Sequence, residues 1–151
     1  MRITAKVDYA VRAMCELAGQ GGGPVRGERL ASAQGIPQSF LENILHELKR
    51  AGLVATQRGV DGGYRLAKPA DEITVADIIR AVEGPLADVR GSRPDGLDYV
   101  GSASSLRDVW LAVRANLRAV LELVTVADIA EDNLPQLIPE LLQDPEALRP
   151  H

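Results

Sequence analysis

The residues best equipped for chemistry fall in Arg58-Gly-Val-Asp-Gly-Gly-Tyr-Arg-Leu66, where Gly59, Gly62 and Gly63 sit between an arginine and an aromatic. A catalytic phosphate loop needs a Lys-Ser/Thr pair after its glycines and a helix beyond them. Here Tyr64-Arg65-Leu66 follows, which reads as a strand, and no such pair is present. The other glycine cluster, residues 19–23, follows a helical pattern, and Pro24 falls where a dinucleotide loop needs a further glycine. What remains for residues 58–66 is a tight turn that aims one arginine. The two histidines, His46 and the terminal His151, have no neighbours that suggest a nucleophile–base pair or a metal site. Asp71-Glu72 and Glu131-Asp132 read as surface charge flanking helices. No catalytic constellation is found, so neither enzymatic activity nor a metal site is expected.

Cys15 is the only cysteine, which excludes an intramolecular disulfide and fits a cytoplasmic protein. It stands four residues after Val11, near an apolar helix face. Two readings stay open: a buried structural residue, or a redox-sensing thiol in an electropositive niche. No run is long and apolar enough to span a membrane, and no apolar signal core opens the chain, so no membrane partner is expected.

The elements that must carry these residues follow from periodicity. Val7, Ala10, Val11, Met14, Leu17 and Ala18 predict a helix over about residues 6–18, closed by the glycines and Pro24. A short helix spans 27–34 around Leu30 and Ala31, and Gly35 is its left-handed stop. Ile36-Pro37 opens the next, with Pro37 as its first helical residue. That helix runs to about Ala51 with Phe40, Leu41, Ile44, Leu45 and Leu48 as one apolar stripe. Gln38, Ser39, Glu42, Asn43, His46 and Lys49 lie opposite. Leu53–Gln57 and Tyr64–Leu66 predict two strands around the glycine turn. Thr74-Val-Ala-Asp77, Ser105-Leu-Arg-Asp108 and Thr125-Val-Ala-Asp128 read as capping boxes. The second opens the longest periodic run, Leu106, Val109, Trp110, Val113, Leu117, Val120, Leu121 and Val124, a helix roughly 28 Å long. No internal repeat is evident. Beyond Asn133 four prolines argue for an extension with little regular structure beyond one helical turn near 137–142.

Two helices joined by a glycine turn and followed by a hairpin fit a DNA reader: a helix-turn-helix with a wing. The wing glycines let the backbone turn tightly and pass close to a DNA strand, and Arg58 then reaches a groove. The formal charge of −4 divides unevenly. Residues 1–70 hold 10 Lys and Arg against 6 Asp and Glu; residues 71–151 hold 7 against 15. A basic working surface joined to an acidic body fits that asymmetry, and so does ordinary surface scatter. By position and charge, Lys6, Arg12, Lys49 and Arg50 are candidate phosphate contacts.

Three stretches, MRITAKVDYAVRAM, LASAQGIPQSFLENILHELKRAGLV and RGVDGGYRLAKPADEITVADIIRAVEG, resemble the Rrf-two family of bacterial winged-helix repressors in order and without large gaps over about residues 1–130. The resemblance implies a mainly α fold with a small β-hairpin wing, divided into a winged helix-turn-helix domain (1–83), a loop (84–104), dimerisation helices (105–132) and a C-terminal extension (133–151). It implies that Gln38, Ser39, Phe40 and Glu42 face base edges and phosphates, with Asn43 on the same polar side. It makes Arg58 the wing arginine, with Gly59 and Tyr64 flanking the strand approach. The long helix corresponds to the family's dimerisation helix, giving Leu106, Val109, Trp110, Val113, Leu117, Val120 and Leu121 to a homodimer interface. The expected partner is a palindromic double-stranded operator.

Relatives that sense iron–sulfur clusters carry three cysteines in the loop before that helix. Here the loop has none, so no cysteine-ligated cluster is expected, and Asp8, which matches a fourth ligand in some relatives, is expected to be an ordinary surface or interface carboxylate. Arg90, Arg93, Tyr99, Arg107 and Trp110 are candidates to line a pocket for a small anionic or aromatic effector. The alternatives are that Trp110 fills the dimer core, or that the co-effector is a protein. The rival to a DNA-binding repressor is a winged-helix adaptor that binds a protein through the same basic face.

Overall fold

The computed structural model describes residues 2–150, so His151 lies outside the described residues. Helix α1 (Ala5–Gly19) opens where the Thr4 hydroxyl accepts the Val7 N–H at 3.2 Å. It buries Val7, Ala10, Ala13, Met14 and Leu17, one stripe at helical spacing, and packs against every other helix of the core. Helix α2 (Gly27–Gln34) contributes Leu30 and Ala31 and ends at Gly35, whose left-handed backbone (φ 61°) brings its N–H to the Ala31 and Ser32 carbonyls. Helix α3 (Gln38–Arg50) buries Leu41, Ile44, Leu45 and Leu48.

Two expectations for α3 need correction. Pro37 is the N-cap, one residue before the first helical turn. Phe40 is not part of the core stripe. It is 59% exposed, because at 100° per residue it falls at the edge of the arc that Leu41, Ile44, Leu45 and Leu48 define. Its ring instead meets Tyr9 of α1 edge-on, with centroids 6.4 Å apart.

Strands β1 (Val54–Gln57) and β2 (Gly63–Leu66) pair antiparallel, Thr56 opposite Tyr64. Val25 adds a third short lane, exchanging two backbone hydrogen bonds of 2.7 Å with Tyr64. Helix α4 (Val75–Val82) buries Ala76, Ile78 and Val82 and opens with a complete capping box, Thr74 with Asp77.

After α4 the chain leaves the core. Residues 84–104 are irregular apart from two short 3₁₀ turns, and Leu86 and Pro94 are buried. Helix α5 (Leu106–Leu121) is 16 residues long, about 24 Å. It is shorter than its apolar periodicity predicts. Val124 lies beyond its end and is a core residue, since the chain has already turned back. The capping box expected at Ser105 does not form. Ser105 has helical backbone angles (φ −82°, ψ −4°), so its hydroxyl cannot reach forward over the first turn.

Helix α6 (Val126–Ala130) does open with a capping box, Thr125 with Asp128. The six residues Val124-Thr-Val-Ala-Asp-Ile129 nearly repeat Ile73-Thr-Val-Ala-Asp-Ile78, an echo missed in the sequence. The two copies pair side by side: the Val75 N–H donates to the Val124 carbonyl (3.0 Å) and the Val126 N–H to the Ile73 carbonyl (2.9 Å). Val126 is fully buried and α6 packs on α1, so the chain that left after α4 is stitched back beside its own exit. Helix α7 (Leu137–Leu142) follows, with no buried residue.

Candidate nucleic-acid interface

The polar side of α3 is a consequence of its apolar side. With Leu41, Ile44, Leu45 and Leu48 fixed in the core, Gln38, Ser39, Glu42, Asn43, His46, Lys49 and Arg50 must face outward, and all seven are exposed. Gln38 and Glu42, one turn apart, share a hydrogen bond of 3.2 Å. Lys6 of α1 joins Phe40, Asn43, His46 and Arg50 around one shallow hollow between α1 and α3. There the Lys6 ammonium pairs with Glu47 at 2.8 Å. Lys49 and Arg50 stand in the last turn, where cations complement the helix dipole.

Arg12 occupies a different position from the other basic candidates. It donates to Asp8 (3.0 Å) and to the Gln34 backbone carbonyl, and its guanidinium lies 5.5 Å from the centre of the Tyr9 ring. It ties α1 to the end of α2. Asp8 is therefore the partner of a cation, in keeping with a surface carboxylate.

In the wing, Arg58 and Gly59 are exposed at the tip, and Gly59 has φ 110°. Gly62 and Gly63 are required for an internal reason. A Cβ on Gly63 would run into the Val25 carbonyl and approach the Arg26 nitrogen to 2.9 Å; one on Gly62 would meet the Gln57 carbonyl. Tyr64 is half-buried against the core, beside Gly27, which would put a Cβ at 3.5 Å from its ring. A residue of the interface that periodicity missed is Arg26, the N-cap of α2. Its guanidinium donates to the Val60 carbonyl at 2.6 Å and so fixes the wing tip to the helix-turn-helix. Sequence offered no sign of this, because the two positions are 34 residues apart.

The expected dimer residues lie on α5, of which no residue is buried within the chain. Val109, Val113, Leu117, Val120 and Leu121 line an apolar groove with Ala112 and Asn116, and Val109 is 51% exposed. The end of α5 is tethered to α4: Glu122 accepts from Arg118 (2.9 Å) and from Arg80, and these bonds pull its carboxyl down to about 2.

Of the effector candidates the fold brings together Arg90 and Trp110, which line one cavity with Ala87, Asp88, Val89 and Val113. Arg93 pairs with Asp95 at 3.1 Å, and Tyr99 and Arg107 lie outside that lining. Cys15 packs against the core, where burial pushes its thiol up to about 11. At neutral pH it is almost wholly protonated and a poor nucleophile.

An iron–sulfur cluster needs thiolate ligands, and this chain has one cysteine, which faces the core of α1. Among the described residues no three His, Cys, Asp or Glu stand close enough to hold a metal ion. The residues present do not fit a cysteine-ligated cluster.

Residues 3–132 match the model of the Rrf2 (Rrf-two) family, described as an iron-dependent transcriptional regulator. Over 145 residues the chain is 48% identical to the putative HTH-type transcriptional regulator Rv1287 of Mycobacterium tuberculosis (strain ATCC 25618 / H37Rv), covering 95% of this chain and 90% of that one. Among solved structures, CymR (YrzC), the global cysteine regulator of B. subtilis, superposes with a TM-score of 0.74 at 32% identity, over 87% of this chain and 97% of that one. T. potens IscR superposes with a TM-score of 0.71, also at 32% identity, over 100% of this chain and 93% of that one.

Proposed function

This chain belongs to the Rrf2 family of transcriptional regulators and carries its DNA-binding winged helix, and from that premise we propose that it works as a homodimeric repressor of a two-fold-symmetric operator. One observation carries the dimer: α5 presents an apolar face of which its own chain buries no residue. A second copy crossing it there would bury that face. Two α3 helices would then enter major grooves one helical turn apart or a multiple of it.

Side-chain chemistry assigns the roles. Gln38 and Asn43 suit the paired donor and acceptor of adenine, Glu42 the exocyclic amine of cytosine, and Phe40 the methyl of thymine. Ser39 serves base edge or phosphate. Lys6, Lys49 and Arg50 hold the backbone and set the salt dependence. Arg58 enters the minor groove beside the wing. Bound across a promoter in the cytoplasm, such a dimer represses by excluding polymerase.

The signal is something other than a cysteine-ligated cluster: a small molecule or a protein co-effector. Purified protein is then colourless, and an iron–sulfur absorption band that survives chelation would refute this.

Selection of fragments bound from genomic DNA tests the central reading. One enriched palindrome is expected, with Arg58→Ala relaxing preference only at the positions under the wing. No enrichment at low salt, with or without cell extract, favours the protein-binding adaptor instead.

A further inference from the structure

The cavity of about 440 Å³ between the loop and α5 is sized for a small organic molecule. Ala87, Val89, Trp110 and Val113 give it apolar walls, and the exposed side chains Asp88 and Arg90 stand at its rim. Arg90 is held there by an unusual backbone. Val89 and Ser92 exchange hydrogen bonds of 2.8 and 3.0 Å, and between them Arg90 (φ 54°) and Gly91 (φ 76°) are both left-handed. Such two-residue reversals ordinarily take Asn, Asp or Gly at the first position. Ala87 is left-handed as well (φ 50°). Backbone strain of this kind gathers at ligand sites, where it aims a side chain. Among the described residues Arg90 makes neither a hydrogen bond nor an ion pair, so its guanidinium has no partner in the chain to compete with a ligand.

The third observation is the Trp110 indole N–H. It is shut away from solvent and donates to no acceptor, alone in this among the buried side-chain polar atoms of the described residues. A buried donor left unsatisfied is rare and marks a place where something is missing.

We propose that this cavity binds a small monoanion, a carboxylate on an apolar body. The carboxylate accepts from the Arg90 guanidinium and, once the exposed side chains at the rim swing aside, from Trp110 Nε1–H. The apolar body lies against Ala87, Val89 and Val113. Asp88 opposes a second negative charge and so restricts the site to monoanions. Trp110 and Val113 also belong to the α5 face assigned above to the dimer. Occupancy therefore acts on the interface, and that consequence rests on the dimer reading, whereas binding itself does not.

Trp110 is the chain's only tryptophan, so its emission reports this site. The intact protein is titrated with phenylacetate, with the neutral phenylacetamide and with the cationic phenethylamine, while light scattering follows oligomeric state on the same samples. Phenylacetate is expected to shift the emission saturably and to bind about tenfold more tightly than the amide, the worth of one charge-assisted pair. Phenethylamine is expected to do least. Arg90→Gln should bring acid and amide within about twofold of each other, and Asp88→Asn should leave the preference intact. Equal responses to acid and amide overturn the proposal, as does a preference that survives Arg90→Gln. A dimer whose Trp110 is shielded and unresponsive to the acid overturns it too, the partner chain then filling the cavity, and leaves the dimer reading standing. A monomer that responds supports the site and removes the dimer instead.

Discussion

Of the thirteen residues of α3, Leu41, Ile44, Leu45 and Leu48 are buried by their own chain; of the sixteen of α5, none is. Both helices have an apolar stripe of similar regularity. The first finds α1, α2 and α4 waiting for it. The second runs past the core, packing against the 94–96 turn and, more lightly, α4. The DNA-reading half is thus a finished folding unit, whereas α5 keeps an apolar stripe of which its own chain buries no residue. An amphipathic pattern announces that a face will be buried and says nothing about by whom.

The comparison can be broken most directly at the two stripes. Leu45→Ala removes a fully buried side chain and should lower unfolding stability by about 2–5 kcal/mol, independent of protein concentration. Leu117→Ala should act through association, so its effect on denaturant midpoint should vanish on dilution. A concentration-independent loss of the same size at Leu117 would mean that α5 is part of the single-chain core.

Next in size is Gly63→Ala. Its Cβ has no room beside the Val25 backbone, so about 1–3 kcal/mol of stability should go, with faster amide exchange at Tyr64 and Val25. Unchanged exchange there would show that the wing is less firmly seated on the core than its hydrogen bonds suggest. Arg26→Ala should leave the global stability nearly untouched but free the wing tip, weakening operator binding about fivefold. An equal loss on random DNA would make Arg26 a phosphate contact instead of a wing brace.

The smallest effect concerns the α4–α5 tether. Hydrogen bonds to Arg118 and Arg80 lower the Glu122 carboxyl to about 2 from an ordinary value near 4.5. A carboxylate depressed by folding contributes in full above its unfolded value and loses that contribution as pH falls through the folded one. The tether should therefore hold at pH 5 and loosen only as pH falls from about 4.5 toward 2. Because these side chains are partly exposed the change is slight, best read as amide exchange at the end of α5 in wild type against Glu122→Gln. Exchange that rises between pH 7 and 5 in wild type alone would contradict the assignment.

How much could be read beforehand divides along the same line. The helix-turn-helix and hairpin were legible because their signals are local: period 3.6, a left-handed stop at Gly35, an alternation bounded by glycines. The polar face of α3 followed once its apolar face was known. Phe40 was misjudged since it sits at the border of the stripe, where periodicity cannot say whether a neighbour covers it. Ser105 has the right residues for a capping box and the wrong backbone, and only the backbone decides whether a hydroxyl reaches forward. The contacts that Arg12 and Tyr64 make within the fold, to Gln34 and Val25, lie between distant positions and could not be read from local spacing.

By itself the sequence determined the elements, the missing thiolates and the family, since each of these depends on residue types at short spacing. Tertiary structure alone decided which charges pair within the chain, that Arg26 braces the wing, that the two near-identical Thr-Val-Ala-Asp turns pair to close the body, and that Arg90 meets Trp110 at one cavity. These are contacts between residues tens of positions apart, and no local preference encodes a distance across the chain.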